Sequence, residues 1–435
     1  MAMVVKNNMS AVSTLNTLNK NSSALAKSLQ KVSSGMKINS AADDASGYAI
    51  SERMRVQIRG LDQANQNTQN GTSMMKVAEG AVSSTVDILK TLKEKVINAA
   101  NDTNTDADRA TIQKELDQSI DQINDNANVT YNGKYLVDGS HNSEVKATTT
   151  SLTNESLAKD TSDTTKFSEM KDRNGNSLNI NSMDTVTLSF VKEGKTYSTS
   201  VKATSDLKTL IGKANDQSTN AFSTTISSGS IIGKDIAGDT VATADAGNAL
   251  TIKAGGTGVS NQISGLTISV TNTQGQVQKS ANAVLDNFSE MVRAQDKSND
   301  NAISLQVGTK ANQSIRVGLT DMRAEALGLQ SSSGQTIQIG TQQQANAAIN
   351  VLDTAVQKAL DQQTTIGAVQ SRLSYTSSNL TTASENVQSS ESTIRDADMA
   401  KEMTEYTKNN VLLQAAQSML AQANQSSSSV LSLLQ

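Results

Sequence analysis

Residues 61–99 read LDQANQNTQNGTSMMKVAEGAVSSTVDILKTLKEKVINA. Steps of three and four from Leu61 pick out Ala64, Thr68, Gly71, Met75, Ala78, Val82, Thr85, Leu89, Leu92, Val96 and Ala99. That is the a/d stripe of a coiled-coil-like helix, built from small and medium side chains. A helix over 61–100 is about 60 Å long at 1.5 Å per residue. A shorter helix carrying Ile112, Leu116, Ile120, Ile123 and Ala127 is expected to return antiparallel, with Asn132-Gly133 as turn chemistry behind it.

The same period recurs elsewhere. Ala345, Ile349, Leu352, Val356, Ala359, Ile366, Leu373, Leu380 and Val387 fit one alternation near the C-terminus. At the start, Val4, Ala11, Leu18, Leu25 and Val32 alternate with Leu15, Leu29 and Met36, with Asn8 and Ser22 as polar interruptions. At the finish, Leu412, Ala416, Met419, Ala423, Val430 and Leu434 form one stripe, and Met399, Met403, Tyr406, Leu413 and Leu420 a second beside it. The last helix therefore has a wide apolar face.

The middle changes period. Val186, Leu188 and Phe190 alternate, Lys192-Glu193-Gly194-Lys195 turns the chain, and Tyr197 and Val201 continue, which reads as a β-hairpin. A short helix is expected near Asp206–Ala214, strands at 250–252 and 266–270, and a second hairpin from Ile303, Leu305, Val307 to Ile315, Val317, Leu319. The fold class is mainly α with a β-rich insert: a long antiparallel coiled-coil-like helical rod formed from both termini, a β-hairpin, and a central α+β outer domain at 141–300.

Composition narrows function. The 435 residues carry a net charge of −4, no Cys, no Pro, no Trp, a single His and 2% aromatics. That balance implies neither a nucleic-acid groove nor an anionic-membrane surface. The absence of Cys removes disulfides and thiolate metal sites, and suits export through a narrow channel. No apolar run approaches the roughly 18 residues of a membrane span. The stretch from Met1 to Asn8 has no apolar core of the kind a secretory signal needs. A soluble, elongated chain, helix-rich at its ends, with no cofactor and no metal is expected.

Between the first two helical segments lies KVSSGMKINSAADDASGYAIS, residues 31–51. Gly35 suits the residue just past a helix, where positive φ is required. Asp43 or Asp44 can cap the next helix by accepting its free N–H groups, and Gly47 permits close backbone approach. Catalysis would need a second acid, base or nucleophile, and none is supplied here. The stretch reads as an inter-domain joint.

Residues 31–54, KVSSGMKINSAADDASGYAISERM, resemble the N-terminal motif of bacterial flagellins. So do YNGKYLVDGS at 131–140, VGLTDMRAEALGL at 317–329, IGAVQSRLSYTSSNL at 366–380, ESTIRDADMAKEMTEYTKNNVLLQAAQSMLAQANQ at 391–425, and the terminal VLSLLQ. The matches cover about 1–140 and 301–435, in order. The resemblance implies a subunit of the flagellar filament that serves swimming motility and is exported unfolded through the flagellar type III channel. A chaperone on the C-terminal helix, and filament cap and hook-junction proteins, are implied as partners, with an extracellular location. The implied layout is an inner terminal-helix domain (1–45 and 391–435), a rod domain (46–140 and 301–390) and a variable outer domain (141–300). The polymerisation core is then expected to use Val4, Leu15, Leu18, Leu25, Leu29, Val32, Met403, Leu412, Leu413, Met419, Leu420, Val430 and Leu434.

Flagellins read by the animal Toll-like innate receptor carry L-Q-R-V-R-E-L in the rod helix. The matching residues here run from Leu89 to Lys95. Leu89, Lys93 and Glu94 keep the character of the motif. Thr91 replaces an arginine and its planar fork of donors, and Lys95 replaces a leucine. Weak receptor contact is therefore expected.

Other constellations fall short. Asp102, Asn104 and Asp106 open a calcium-loop pattern, but Ala107 stands where Gly is needed and Gln113 where Glu closes the cage. Thr105 with Asp108 reads better as a capping box. GSIIGK at 229–234 is one residue short of a phosphate loop. His141 sits in an expected loop. An enzyme is the remotest reading. The nearer alternatives are a hook–filament junction protein and a secreted helical adhesin acting as a monomer. The terminal helices are expected to be marginal alone, because an isolated pair leaves apolar surface wet while still losing backbone entropy.

Overall fold

The computed structural model describes residues 8–218, 221–223, 227–244 and 246–433, with 227–228 and 427–433 described by backbone alone. In chain order the helices are α1 (Met9–Ser34), α2 (Ala45–Ala99), α3 (Asp106–Ala127), α4 (Leu207–Gln217), α5 (Lys279–Leu285), α6 (Ala324–Leu327), α7 (Gln342–Arg395) and α8 (Met399–Leu433). The strands are β1 (Thr130–Tyr131), β2 (Lys134–Tyr135), β3 (Ser151–Asn154), β4 (Thr185–Lys192), β5 (Lys195–Lys202), β6 (Ser227–Gly229), β7 (Ile231–Lys234), β8 (Thr240–Ala242), β9 (Ala249–Lys253), β10 (Ile263–Thr271), β11 (Ser289–Val292), β12 (Ile303–Gln306) and β13 (Ser314–Val317).

Two compact units result, and α2 and α7 contribute to both. The first holds the described residues through Thr68, the loop Gln306–Gln313, and the chain from Tyr375 onward. There α2 and α7 run antiparallel, tied by Ser384 Oγ donating to Asp62 (3.1 Å), Ser377 Oγ to Asn65 (2.7 Å) and Arg55 Nε to Glu391 (3.0 Å). Leu61, Ala64 and Leu380 form a small core between them. Alongside, α1 packs on α8.

The second unit holds residues 69–305 and 314–374. Every stripe residue of α2 that sequence periodicity picked out is buried. The return helix α3 lies antiparallel to α2, with Asn126 Nδ2 donating to Ser84 Oγ (3.1 Å) and Lys95 paired to Glu115 (3.0 Å). The joint between them is closed by Arg109, whose Nε donates to the Ala99 carbonyl (2.9 Å) and whose terminal nitrogen reaches the Asn101 carbonyl (3.2 Å). A cation thus meets carbonyls that a helix end leaves unpaired. Thr105 and Asp108 form the expected capping box. Asp102 and Asp106 face Arg109 at 3.8 and 3.2 Å rather than one another's oxygens.

Among the described residues the insert of the second unit holds two larger antiparallel sheets, β10-β4-β5 and β11-β3-β9-β6, around one apolar core, and the two-stranded β7-β8. The Glu193-Gly194 turn joins β4 to β5 with φ of 50° and 71°, and Asn132-Gly133 joins β1 to β2 with 50° and 75°. Both are the mirror-image turns that match strand twist. Phe190 stacks on Tyr197 and meets Phe222 edge-on, so three of the few aromatics share one site. Asp206 caps α4 through the Thr209 N–H (2.9 Å). The GSIIGK segment ends β6 and forms β7, so no phosphate-cradling loop exists there.

This insert is fused to the helices of its unit. At Gly265, beside a bulge in β10, a Cβ would stand 2.8 Å from the Ala347 carbonyl of α7. Asn350 Nδ2 donates to the Leu266 carbonyl (3.0 Å). Elsewhere in this unit the Glu290 side chain is buried, neither oxygen accepts a hydrogen bond among the described residues, and Arg293 Nε lies 3.6 Å away. Lys358, also buried, donates to the Ala326 carbonyl (2.5 Å). Burial pushes the Glu290 carboxyl up to about 7, against the opposing pull of Arg293 and Lys358. The folded chain then holds a proton that the unfolded chain has released between pH 4.5 and about 7. Stability therefore falls as pH rises through that window. Glu290→Gln should flatten the fall in thermal midpoint between pH 5 and pH 8, measured by circular dichroism. A variant that loses stability as steeply as the parent would contradict this assignment.

Candidate assembly surface

The α1–α8 pair is antiparallel and its register is fixed by polar contacts. Asn8 Nδ2 donates to the Ala423 carbonyl (3.1 Å), Asn21 Nδ2 to the Leu412 carbonyl (3.2 Å), Asn409 Nδ2 to Ser28 Oγ (2.9 Å), and Lys31 pairs with Glu402 (3.6 Å). On α1 the seam alternates Ala11, Leu18, Leu25 and Val32 with Thr14, Asn21 and Ser28. On α8 it runs Glu402, Tyr406, Asn409, Leu413, Ala416, Leu420 and Ala423. Only Ser28 and Ala416 are buried among the described side chains of the two helices.

The internal seam therefore takes one stripe on α1 and parts of both stripes on α8. The remaining apolar residues lie outside it. Leu15, Leu29, Met403, Leu412 and Met419 are 45%, 52%, 45%, 42% and 62% exposed. Met9, Val12, Met399 and Val411 are exposed as well. Of the residues expected to form a polymerisation core, Leu18, Leu25, Val32, Leu413 and Leu420 are half-buried in the seam. Val4 and Leu434 lie outside the described residues, as does the side chain of Val430.

The joint is built from two backbone links. Gly35 ends α1 with φ 70°. The Ala397 N–H donates to the Gly35 carbonyl (2.9 Å) and the Lys37 N–H to the Arg395 carbonyl (2.8 Å). The segment leaving α1 thus pairs, antiparallel, with the segment entering α8. Asp44 caps α2 through the Ser46 and Gly47 N–H groups (both 3.0 Å). Asp43 instead closes the loop, accepting from the Ser40 (3.0 Å) and Asn39 (3.2 Å) N–H groups and the Ser40 hydroxyl (3.1 Å). The Ser40 N–H in particular holds its carboxyl below the usual range. A Cβ on Gly47 would collide with Asp44 and Ile38.

Sequence reasoning missed the centre of this joint. Arg395 is buried, donates to Glu52 (2.6 Å) and to Met36 Sδ (3.2 Å), and lies over the Tyr48 ring at 5.5 Å. The one available signal was an arginine closing a long helix immediately before Asp396-Ala397-Asp398, which also reads as a cation at a helix C-terminus.

The receptor-like stretch is split by burial. Leu89 is 0% exposed, Lys93 pairs with Asp353, and Glu94 faces solvent. His141 Nδ1 lies 3.3 Å from the Asn301 carbonyl. Among the described residues no cluster of His, Cys, Asp and Glu could hold a metal, and no helix is long and apolar enough to cross a membrane.

Replacing Arg395 by Leu should loosen both backbone links while α2 persists. Amide exchange at Lys37 and Ala397 should then accelerate at least tenfold. Unchanged protection at those two amides would show that the guanidinium is not what holds the joint.

Residues 5–142 match the family model described as the bacterial flagellin N-terminal helical region, and residues 349–434 match the flagellin C-terminal helical region. A flagellin of Clostridium tyrobutyricum is 34% identical over 427 residues, covering 97% of this chain and 99% of that protein. A flagellin of Bacillus subtilis is 30% identical over 452 residues, covering 99% and 100%. Polar flagellin C of Vibrio parahaemolyticus is 32% identical over 448 residues, covering the whole of both chains. With both terminal helical regions matched and relatives aligned end to end, the chain belongs to the bacterial flagellin family.

Proposed function

We infer that this flagellin is a structural subunit of the extracellular flagellar filament and that copies assemble through α1 and α8 for swimming motility. It is not an enzyme; the family is one of structural filament proteins. The observation that carries the role of the terminal helices is the mismatch in their burial. Two long helices share a thin seam and leave Leu15, Leu29, Met403, Leu412 and Met419 open to water. Such a surface is stable when neighbouring copies cover it, and a contact that does not close on itself yields an open helical polymer. The helices accordingly complete their order on assembly.

The finer layout follows as part of the same proposal: 1–45 with 391–435 as filament core, 46–140 with 301–390 as rod, and 141–300 facing outward. Export through the flagellar type III channel, a chaperone on α8, and cap and hook-junction partners complete it. Contact with an animal Toll-like receptor is proposed as weak. Buried Leu89 and paired Lys93 support that reading, and so do Thr91 and Lys95.

Electron microscopy of the purified protein tests the core claim: long filaments are expected. Deleting residues 400–435 should leave a folded second unit and no filaments. Leu412→Asp should also abolish polymer while helical content stays constant. Filaments from either variant would remove α8 from the assembly surface. Hydrogen exchange on the dilute subunit should find α1 and α8 weakly protected beside α2 and α3.

A further inference from the structure

Among the described methionines Met74, Met75, Met170 and Met322 are buried, and Met36, Met54 and Met291 are half-buried. Met9, Met399, Met403 and Met419 are 71%, 42%, 45% and 62% exposed, and all four lie on α1 and α8 beside the seam. The antiparallel contacts put Met9 and Met419 toward one end of that pair, where Asn8 meets Ala423. Met399 and Met403 lie toward the other, where Lys31 meets Glu402. Met183, 66% exposed, is as accessible but sits in the insert, far along the chain from these helices. An unbranched thioether fits irregular apolar contacts well. Its sulfur is also open to two-electron oxidants when solvent reaches it.

We propose that Met9, Met399, Met403 and Met419 are oxidative modification sites that switch off polymerisation of the free subunit. The inference rests on α1 and α8 being the assembly surface. A thioether lone pair attacks one oxygen of hydrogen peroxide and the O–O bond breaks. The sulfoxide forms as the second oxygen leaves with both protons as water. Sulfur is oxidised by two electrons and peroxide is reduced by two. The product is a strongly polar acceptor on a surface that must be dehydrated against the next copy. An unpaired acceptor buried there opposes association. Once polymerised, the same four sulfurs are shielded by neighbours, so the switch acts on subunits before they are incorporated.

The test treats full-length subunit with hydrogen peroxide, maps every methionine by peptide mass, and measures the critical concentration for filament growth. Subunit oxidised at the four sites should need at least tenfold more protein to polymerise. Treatment with sulfoxide reductases of both epimer specificities should restore growth. The variant Met9→Leu, Met399→Leu, Met403→Leu, Met419→Leu, compared with its own untreated critical concentration, should show no rise after the same exposure, with Met183 oxidised. Unchanged growth of parent subunit oxidised at all four sites would overturn the proposal, as would a variant that loses growth as the parent does. Failure of the reductases to restore growth would overturn it too, and that arm needs no variant. Absence of filaments from untreated parent protein would instead sink the assembly reading beneath it.

Discussion

The first unit depends on two backbone hydrogen bonds, from the Lys37 N–H to the Arg395 carbonyl and from the Ala397 N–H to the Gly35 carbonyl. They join the exits of helices that are far apart in sequence. With these links made, α1 and α8 start from a common point and their register is no longer free. Asn21 then meets the α8 backbone and Ser28 meets Asn409. Arg395 holds the links by occupying the space between Glu52, Met36 and the Tyr48 ring. A bidirectional backbone pairing is a stiffer join than a flexible linker, because each strand satisfies donors that the other leaves open.

A thin seam follows from what occupies it. Thr14, Asn21 and Ser28 take positions that a self-sufficient pair would give to leucine. The leucines Leu15 and Leu29 stand one residue later and face outward. The isolated pair thereby buries little apolar surface, which is the mismatch on which the assembly proposal rests. The second unit is the reverse: its α2 stripe is buried throughout, and Arg109 and the Thr105 capping box close the joint to α3.

The helices were legible because their period repeats for many turns, and the β4–β5 hairpin because Glu193-Gly194 is a turn with a mechanism. The choice of seam was not. A helix with two neighbouring apolar stripes, as α8 has, gives no single direction, and counting hydrophobic residues overlooks hydrogen-bonding Asn and Ser at the interface. Strands β3 and β11 escaped notice as well. SLTN and SEMV carry little alternation, and their pairing joins residues more than a hundred positions apart. Arg395 was hidden because its partners Glu52 and Tyr48 come from the opposite end of the chain. The sequence offered Asp43 or Asp44 as the cap of α2 without choosing between them; coordinates give the cap to Asp44 and the loop closure to Asp43.

The close approach of Gly265 to α7 has a consequence for anyone using this chain as a scaffold. The insert is seated through its own β10 backbone, so exchanging all of 141–300 for foreign sequence would strip a helix of its cover. The Asp235–Asp239 turn is a gentler place to graft a peptide. It closes on its own side chain, with Asp235 accepting from the Ala237 (3.0 Å) and Asp239 (2.8 Å) N–H groups. A loop held by local bonds can be lengthened without disturbing the layer beneath it.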